Sequence, residues 1–296
     1  MYLKKFRYLA EFVLFYIFFN FLRLLPLAFA TMLMGFLAKI IFRYSKASKI
    51  AKRNIHRIYK DKSQQKIYNL IDDIWTNLGK SFAEACHFYF MDDEEFFDLV
   101  KINGFEKIEG LIKDKKPFIL MTAHYSNWEV QGSFLSRVGM YSNTIYRRLN
   151  NFYLDKYFLN IRKANFQNVN FYDKGSAGVK AISKAVKEGE VLVVMVDQKY
   201  NEGVNVPFMG YDAMMASFPA KFALKHNLPV FPIHTNRCYK DDDAYFRISI
   251  SDQLKYKKTK DSDKDAKDLL AKMNKEVASW IDKSPAEWFW VHNRWK

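Results

Sequence analysis

The stretch PFILMTAHYSNWE, residues 117–129, decides the fold. A proline precedes four bulky apolar residues, Phe118 to Met121, and then Thr122. A run this short with no polar face suits a strand buried on both sides. From about Trp128 the pattern turns helical. Strand, loop and helix in that order are the repeating half of an α/β fold, and the pattern recurs along the chain. Further strand candidates are residues 144–147, 169–172, 191–196, 230–235 and 245–250. Helical spacing marks residues 64–90, where Ile67, Leu70, Ile71, Ile74 and Leu78 share a face. It also marks 176–187, with Ser176 as N-cap, and 263–283, with Leu269, Leu270, Met273, Val277, Trp280 and Ile281 inward. The alternation predicts an α/β class: a mostly buried mixed sheet flanked by helices. The charged stretch 252–262 reads as a solvated loop.

The loop of the opening stretch carries the first candidate chemistry. His124 stands where the strand exits, and Glu129 follows five positions later, an H-x-x-x-x-E motif. That spacing lets a carboxylate turn back on the imidazole, fix Nδ1–H and leave Nε2 to take a proton from an attacking hydroxyl. A structural histidine satisfied by a neighbouring carboxylate fits the same two residues. Ser126 is the nearest aliphatic hydroxyl after His124, which keeps a serine nucleophile open. The chain has no H-E-x-x-H, G-x-S-x-G, G-x-x-x-x-G-K-[ST] or G-x-G-x-x-G pattern. The Gly175-Ser176-Ala177-Gly178 element fits an anion cradle at a helix start or an ordinary capped turn.

Composition bounds the class. The chain has 296 residues, 49% of them hydrophobic and 17% aromatic, which excludes disordered, collagen-like and disulfide-stapled proteins. Its two cysteines, Cys86 and Cys238, make neither a disulfide framework nor a four-ligand zinc site, and they suit a reducing compartment. The net charge of +15 is concentrated at the front: residues 1–60 hold twelve Lys/Arg against a single acid, Glu11. Between those charges, residues 12–22 and 24–38 are almost purely apolar, with Arg23 separating them and Pro26 and Gly35 inside the second run. Neither run reaches the ~18 residues that span a bilayer. Residues 1–45 are therefore expected to be a helical membrane anchor lying in one leaflet, with the basic flanks on anionic headgroups, and residues 46–296 the catalytic domain. A buried core helix pair and a cleaved signal peptide at Ala28-Phe29-Ala30 compete with this. No nucleic-acid partner is expected, since bases and aromatics are not interleaved as a stacking platform.

Taken together, these blocks resemble the lipid A biosynthesis late acyltransferases, the lauroyl and myristoyl transferases within the glycerophosphate acyltransferase superfamily. The resemblance runs over essentially the whole chain. Besides His124 to Glu129, Tyr146-Arg147 with Asn151 resembles the family's Tyr-Arg-Pro-x-x-Asn-Pro element, and Arg162 matches a following basic position. Asp197-Gln198 resembles its D-Q block, residues 206–210 its Pro-Phe-Phe-Gly loop, and residues 285–295, PAEWFWVHNRW, its carboxy-terminal Trp/His/Arg signature. Pro232 and Arg237 fall on the next strand and its exit. Arg148 and Phe152 stand where the family usually has prolines. The acidic-Gly-Thr-Arg block of the glycerolipid branch is replaced by Asp197-Gln198-Lys199-Tyr200.

What the resemblance implies is specific. The donor is a fatty acyl thioester on acyl carrier protein, and the acceptor is a hydroxyl of a 3-hydroxyacyl chain on a lipid A precursor, the secondary acylation of lipopolysaccharide biosynthesis. His124 is the implied general base and Glu129 its orienter. Arg147, Asn151, Arg162, Asp197 and Gln198 are implied on the substrate side, with Arg147 the best candidate for acceptor phosphate or sugar acid. No metal or cofactor is required. The implied place is the bacterial inner membrane, with the catalytic domain on the cytoplasmic face. A glycerophospholipid acyltransferase and a non-catalytic membrane-binding protein of the same fold are the alternatives.

Overall fold

The computed structural model describes residues 2–238 and 245–295. The two apolar runs form helices α1 (Tyr2–Leu24) and α2 (Leu27–Phe42), divided at Pro26, whose missing N–H and fixed φ suit a helix start. After a bend come α3 (Lys46–Ile58) and the long α4 (Gln64–Phe88). Among the described residues no single helix is long and apolar enough to cross a membrane. The pair α2 and α3, bent by 88°, meets the length and composition together.

Helix α2 lies along α4 at very close range. A Cβ on Gly79 of α4 would sit 2.2 Å from the Met34 carbonyl oxygen and 2.7 Å from the Ala38 Cβ, so only glycine permits that approach. Helix α1 stacks its aromatics on α4 and on α8 (Phe152–Asn165): Phe15 meets Phe82 and Phe158 at ring separations of 5.9 and 5.2 Å. The other sides of α1 and α2 are bare. Leu3, Phe6, Leu14, Ile17, Leu24, Met32, Phe36 and Ile41 are all exposed.

The sheet is built from α5 (Asp93–Leu99), β1 (Val100–Asn103), α6 (Glu106–Lys113), β2 (Ile119–Thr122), α7 (Glu129–Arg137), β3 (Ser142–Tyr146), β4 (Val169–Asp173), α9 (Ser176–Lys187) and β5 (Val191–Met195). The chain continues through β6 (Val204–Phe208), β7 (Tyr211–Met215), α10 (Phe218–His226), β8 (Val230–Arg237), β9 (Phe246–Ile250) and α11 (Ser262–Lys283). Seven strands pair in the order β1-β9-β8-β2-β5-β3-β4, parallel except for β8 with β9, which confirms a mixed sheet. Its two faces are buried by alternate residues of one strand. Ile119, Met121 and Ala123 enter one apolar cluster, and Phe118 and Leu120 the other.

The predicted strands and helices fall within a few residues of those observed, and the inward residues named for the last helix are all buried. Ser176 is the first residue of α9 rather than its cap, a place taken by Gly175 at φ +135°. The antiparallel hairpin β6–β7 was not expected. Its turn, Met209-Gly210, has both residues at positive φ, and Val206, Phe208, Ala213 and Met215 face inward by strict alternation.

A buried ion pair ties these layers together behind the strand ends. Arg237, last residue of β8, donates from Nε and Nη2 to the two carboxylate oxygens of Glu84 on α4, both at 2.8 Å. Asn127, from the loop after β2, donates to the same carboxylate at 3.1 Å.

Candidate active site

Register explains why two distant residues meet. Strands β2 and β5 run parallel side by side with Thr122 opposite Met195, so His124 and Asp197 leave the sheet in step, two residues beyond each strand. The carboxyl ends of adjacent parallel strands are where α/β folds place their ligands. Asp197 accepts three hydrogen bonds: from the His124 backbone N–H at 2.9 Å, from His124 Nδ1–H at 2.9 Å and from Trp288 Nε1–H at 3.0 Å. Its side chain has no exposed surface. Burial pushes the carboxyl up, but the neighbouring imidazole and these donors outweigh it and hold the carboxyl well below the usual range. With Nδ1–H held by Asp197, Nε2 carries the lone pair, and the Gln198 side-chain amide donates to it at 3.1 Å.

The far wall comes from the carboxy-terminal segment. Tyr125 bridges Trp288, Ser126 N–H donates to the Glu287 carbonyl at 2.8 Å, and Phe289 N–H donates to the His124 carbonyl at 3.0 Å. The imidazole is thereby ringed by Trp128, His292 and Phe289, with centroids at 5.0, 5.2 and 6.1 Å. Helix α3 braces this segment from behind, where Asn54 donates to the carbonyls of Trp290 and His292. Trp288, Phe289 and His292 belonged to the quoted signature but had not been read as site residues. Their partners lie far upstream, Asp197 91 positions before Trp288 and His124 more than a hundred and fifty before Phe289 and His292, contacts no local pattern encodes.

Glu129 is not the residue on His124, which corrects the expected orienter. As the first residue of α7 it aims at α8 and the end of α4. Arg162 grips both its oxygens, and Tyr89 Oη donates at 2.7 Å. Burial raises the Glu129 carboxyl, and the Arg162 guanidinium with those hydrogen bonds overcomes this, leaving it lowered and ionised. Arg162 is thus paired with Glu129. Asn151 caps α8, accepting from the N–H groups of Tyr153 and Leu154, and donates to the Tyr8 carbonyl and to Glu11, tying α8 to α1. Arg147 is exposed just beyond β3, near enough to His292 to oppose a positive charge there. Ser126, held at φ +51°, has its hydroxyl beside the Glu287 carboxyl, and no hydrogen bond among the described residues joins it to the imidazole.

The whole chain, residues 2–296, matches the family described as bacterial lipid A biosynthesis acyltransferase. The chain belongs to that family. No curated protein matches it. A family that acylates a lipid A precursor needs one group to deprotonate an alcohol and others to hold an anionic acceptor. In this acyltransferase the His124 imidazole, whose Nε2 accepts only the Gln198 amide, and the Arg147 guanidinium, which has no ion pair among the described residues, are the candidates for those two kinds of group.

Two further histidines give the acyltransferase an acid limit. Burial pushes His292 down to about 4, with His124, Arg294 and Arg147 adding to the effect against the pull of Asp197. Burial likewise pushes His234, stacked 4.6 Å from Trp280, to about 4, with Lys283 adding to it and Asn236 opposing. Unfolded histidine titrates near 6.5, so between about 6.5 and 4 the unfolded chain binds protons that the folded chain refuses. Stability should therefore fall as pH drops through that window, by up to about 3 kcal/mol per histidine. Thermal unfolding from pH 7.5 to 4.5 checks this. His234→Asn should flatten the slope, and an unchanged slope would show that His234 charges freely in the fold.

Proposed function

We propose that this acyltransferase moves a fatty acyl chain from an acyl carrier protein thioester to the hydroxyl of a 3-hydroxyacyl chain on a lipid A precursor, with His124 as general base and Asp197 as its orienter. The observation that carries the reading is the 2.9 Å contact of the buried Asp197 carboxylate with His124 Nδ1. That contact leaves Nε2 to remove the hydroxyl proton as the oxygen attacks the thioester carbonyl. Asp197 steadies the imidazolium that results, and the proton passes to the departing thiolate. The Glu129–Arg162 pair, at the start of α7, supports the loop from the side of α8. Arg147, with its planar fork and no ion pair among the described residues, would hold an acceptor phosphate.

Helices α1 and α2 support a place at a membrane. Their bare apolar side chains run beside the basic residues of the first sixty positions, and this fits burial in one leaflet of the bacterial inner membrane with lysines and arginines on anionic headgroups. The positive flanks favour the cytoplasmic face, where an acidic carrier protein delivers its thioester.

His124→Ala should abolish transfer, and Asp197→Asn should lower kcat by about 10²–10⁴-fold with little change in KM. Glu129→Gln should cost less. Turnover is read as acylated product by mass, and near wild-type rates in a folded His124→Ala protein would defeat the mechanism. Arg147→Ala should raise the acceptor KM more than the donor KM, and Arg147→Lys should restore it only in part because the bidentate geometry is lost. Equal effects on both substrates would remove Arg147 from the acceptor site. For the membrane, washing is decisive. The protein should stay with membranes through high salt, which shortens the Debye length from about 8–10 Å at physiological strength to about 3 Å at 1 M, and leave in detergent. Release by salt alone would overturn the apolar anchor.

A further inference from the structure

The lone pair that has to receive the acceptor's proton is already occupied. Gln198 donates its side-chain N–H to His124 Nε2 at 3.1 Å, and this is the one hydrogen bond found for that side chain among the described residues. Gln198 is exposed, while the residue before it, Asp197, is buried and triply bonded. A fixed backbone therefore carries an exposed side chain with a single hydrogen bond to release. The imidazole keeps 12% of its side-chain surface open, so solvent reaches the site.

We infer that Gln198 guards the base: in the free enzyme its amide covers Nε2, it yields to the hydroxyl of a bound acceptor, and it thereby favours acyl transfer over hydrolysis of the donor. This rests on His124 as the base. With acceptor bound, the alcohol O–H donates to Nε2 in place of the amide. Its oxygen then bonds to the thioester carbonyl carbon, the C–S bond breaks, and the thiolate takes the proton from Nε2, giving ester and thiol. Water at the same place follows the same steps and gives fatty acid and thiol, wasting the donor. An acceptor held by the rest of the site presents its hydroxyl at high effective concentration, so displacing one neutral hydrogen bond hinders it little. A water molecule has no such help.

The test uses a dodecanoyl thioester of acyl carrier protein, alone and with a tetraacyl disaccharide lipid A precursor, in detergent. Released thiol, free dodecanoic acid and acylated product are measured across pH for the wild type, Gln198→Ala and Gln198→Asn. Both variants lose the amide from Nε2, the second because it is one methylene short. Each should raise the ratio of hydrolysis to transfer by about 2–10-fold, the size of one neutral hydrogen bond. Each should also move the acidic limb of kcat/KM to higher pH by several tenths to about one unit, because the neutral imidazole loses a donor that favoured it. An unchanged ratio or an unmoved limb overturns the inference, including the case where only the acceptor KM rises. Wild-type turnover in His124→Ala, measured alongside, marks failure of the base itself and is distinct from either result.

Discussion

One carboxylate with no exposed surface holds the site together. Asp197 takes hydrogen bonds from the backbone and side chain of His124 in the loop after β2 and from an indole of the carboxy-terminal segment, so two distant parts of the chain converge on the two oxygens of a third. A buried charge of this kind is tolerable only when its lone pairs are filled, since an unpaired one costs several kcal/mol while each bond to an ionised group returns about 1.5–3 kcal/mol. The sheet register, the left-handed Ser126 and the Tyr125–Trp288 bridge are the geometry that fills them. The contact of Asp197 with Nδ1 is the one that fixes the tautomer of the imidazole.

Two more ion pairs, one buried and one half-buried, frame that centre. Glu84 with Arg237 locks α4 to the exit of β8 and reaches Asn127 of the same loop. Glu129 with Arg162 locks the start of α7 to α8 and to Tyr89. Each puts a rigid charge-neutral strut on one side of the loop. The loop is therefore held by ionic contacts in a low-dielectric setting, where losing one partner is far costlier than at a surface.

Elements such as β2 and α11 were legible from apolar patterning, because β2 is short and uniformly buried and α11 repeats its inward face from Asp265 to Ile281, while the short β1, α5, α6 and α10 carried no comparable signal. The hairpin was hidden, since Pro207 within β6 and the polar residues of its outer face broke the strand signal. At the site, His124 stood out by position, but the choice between Glu129 and Asp197 turned on which strand lies beside β2. Local spacing favours the acid five residues away. Sheet order puts β5 next to β2 and delivers the acid 73 residues away instead. Sequence distance and spatial distance part company wherever a parallel crossover intervenes.

The brace from the carboxy-terminal segment also sets an order of events at the ribosome. Trp288 lies 91 residues after Asp197. At synthesis rates of roughly 5–20 residues per second, something like 5–20 s separates them. Throughout that interval Asp197 lacks one of its three donors, and the ring of Phe289 and His292 around the imidazole is missing. The nascent acyltransferase therefore has all the strands of its large sheet before the wall around His124 exists. The enclosure around His124 is complete only when this last aromatic cluster folds back onto the strand ends.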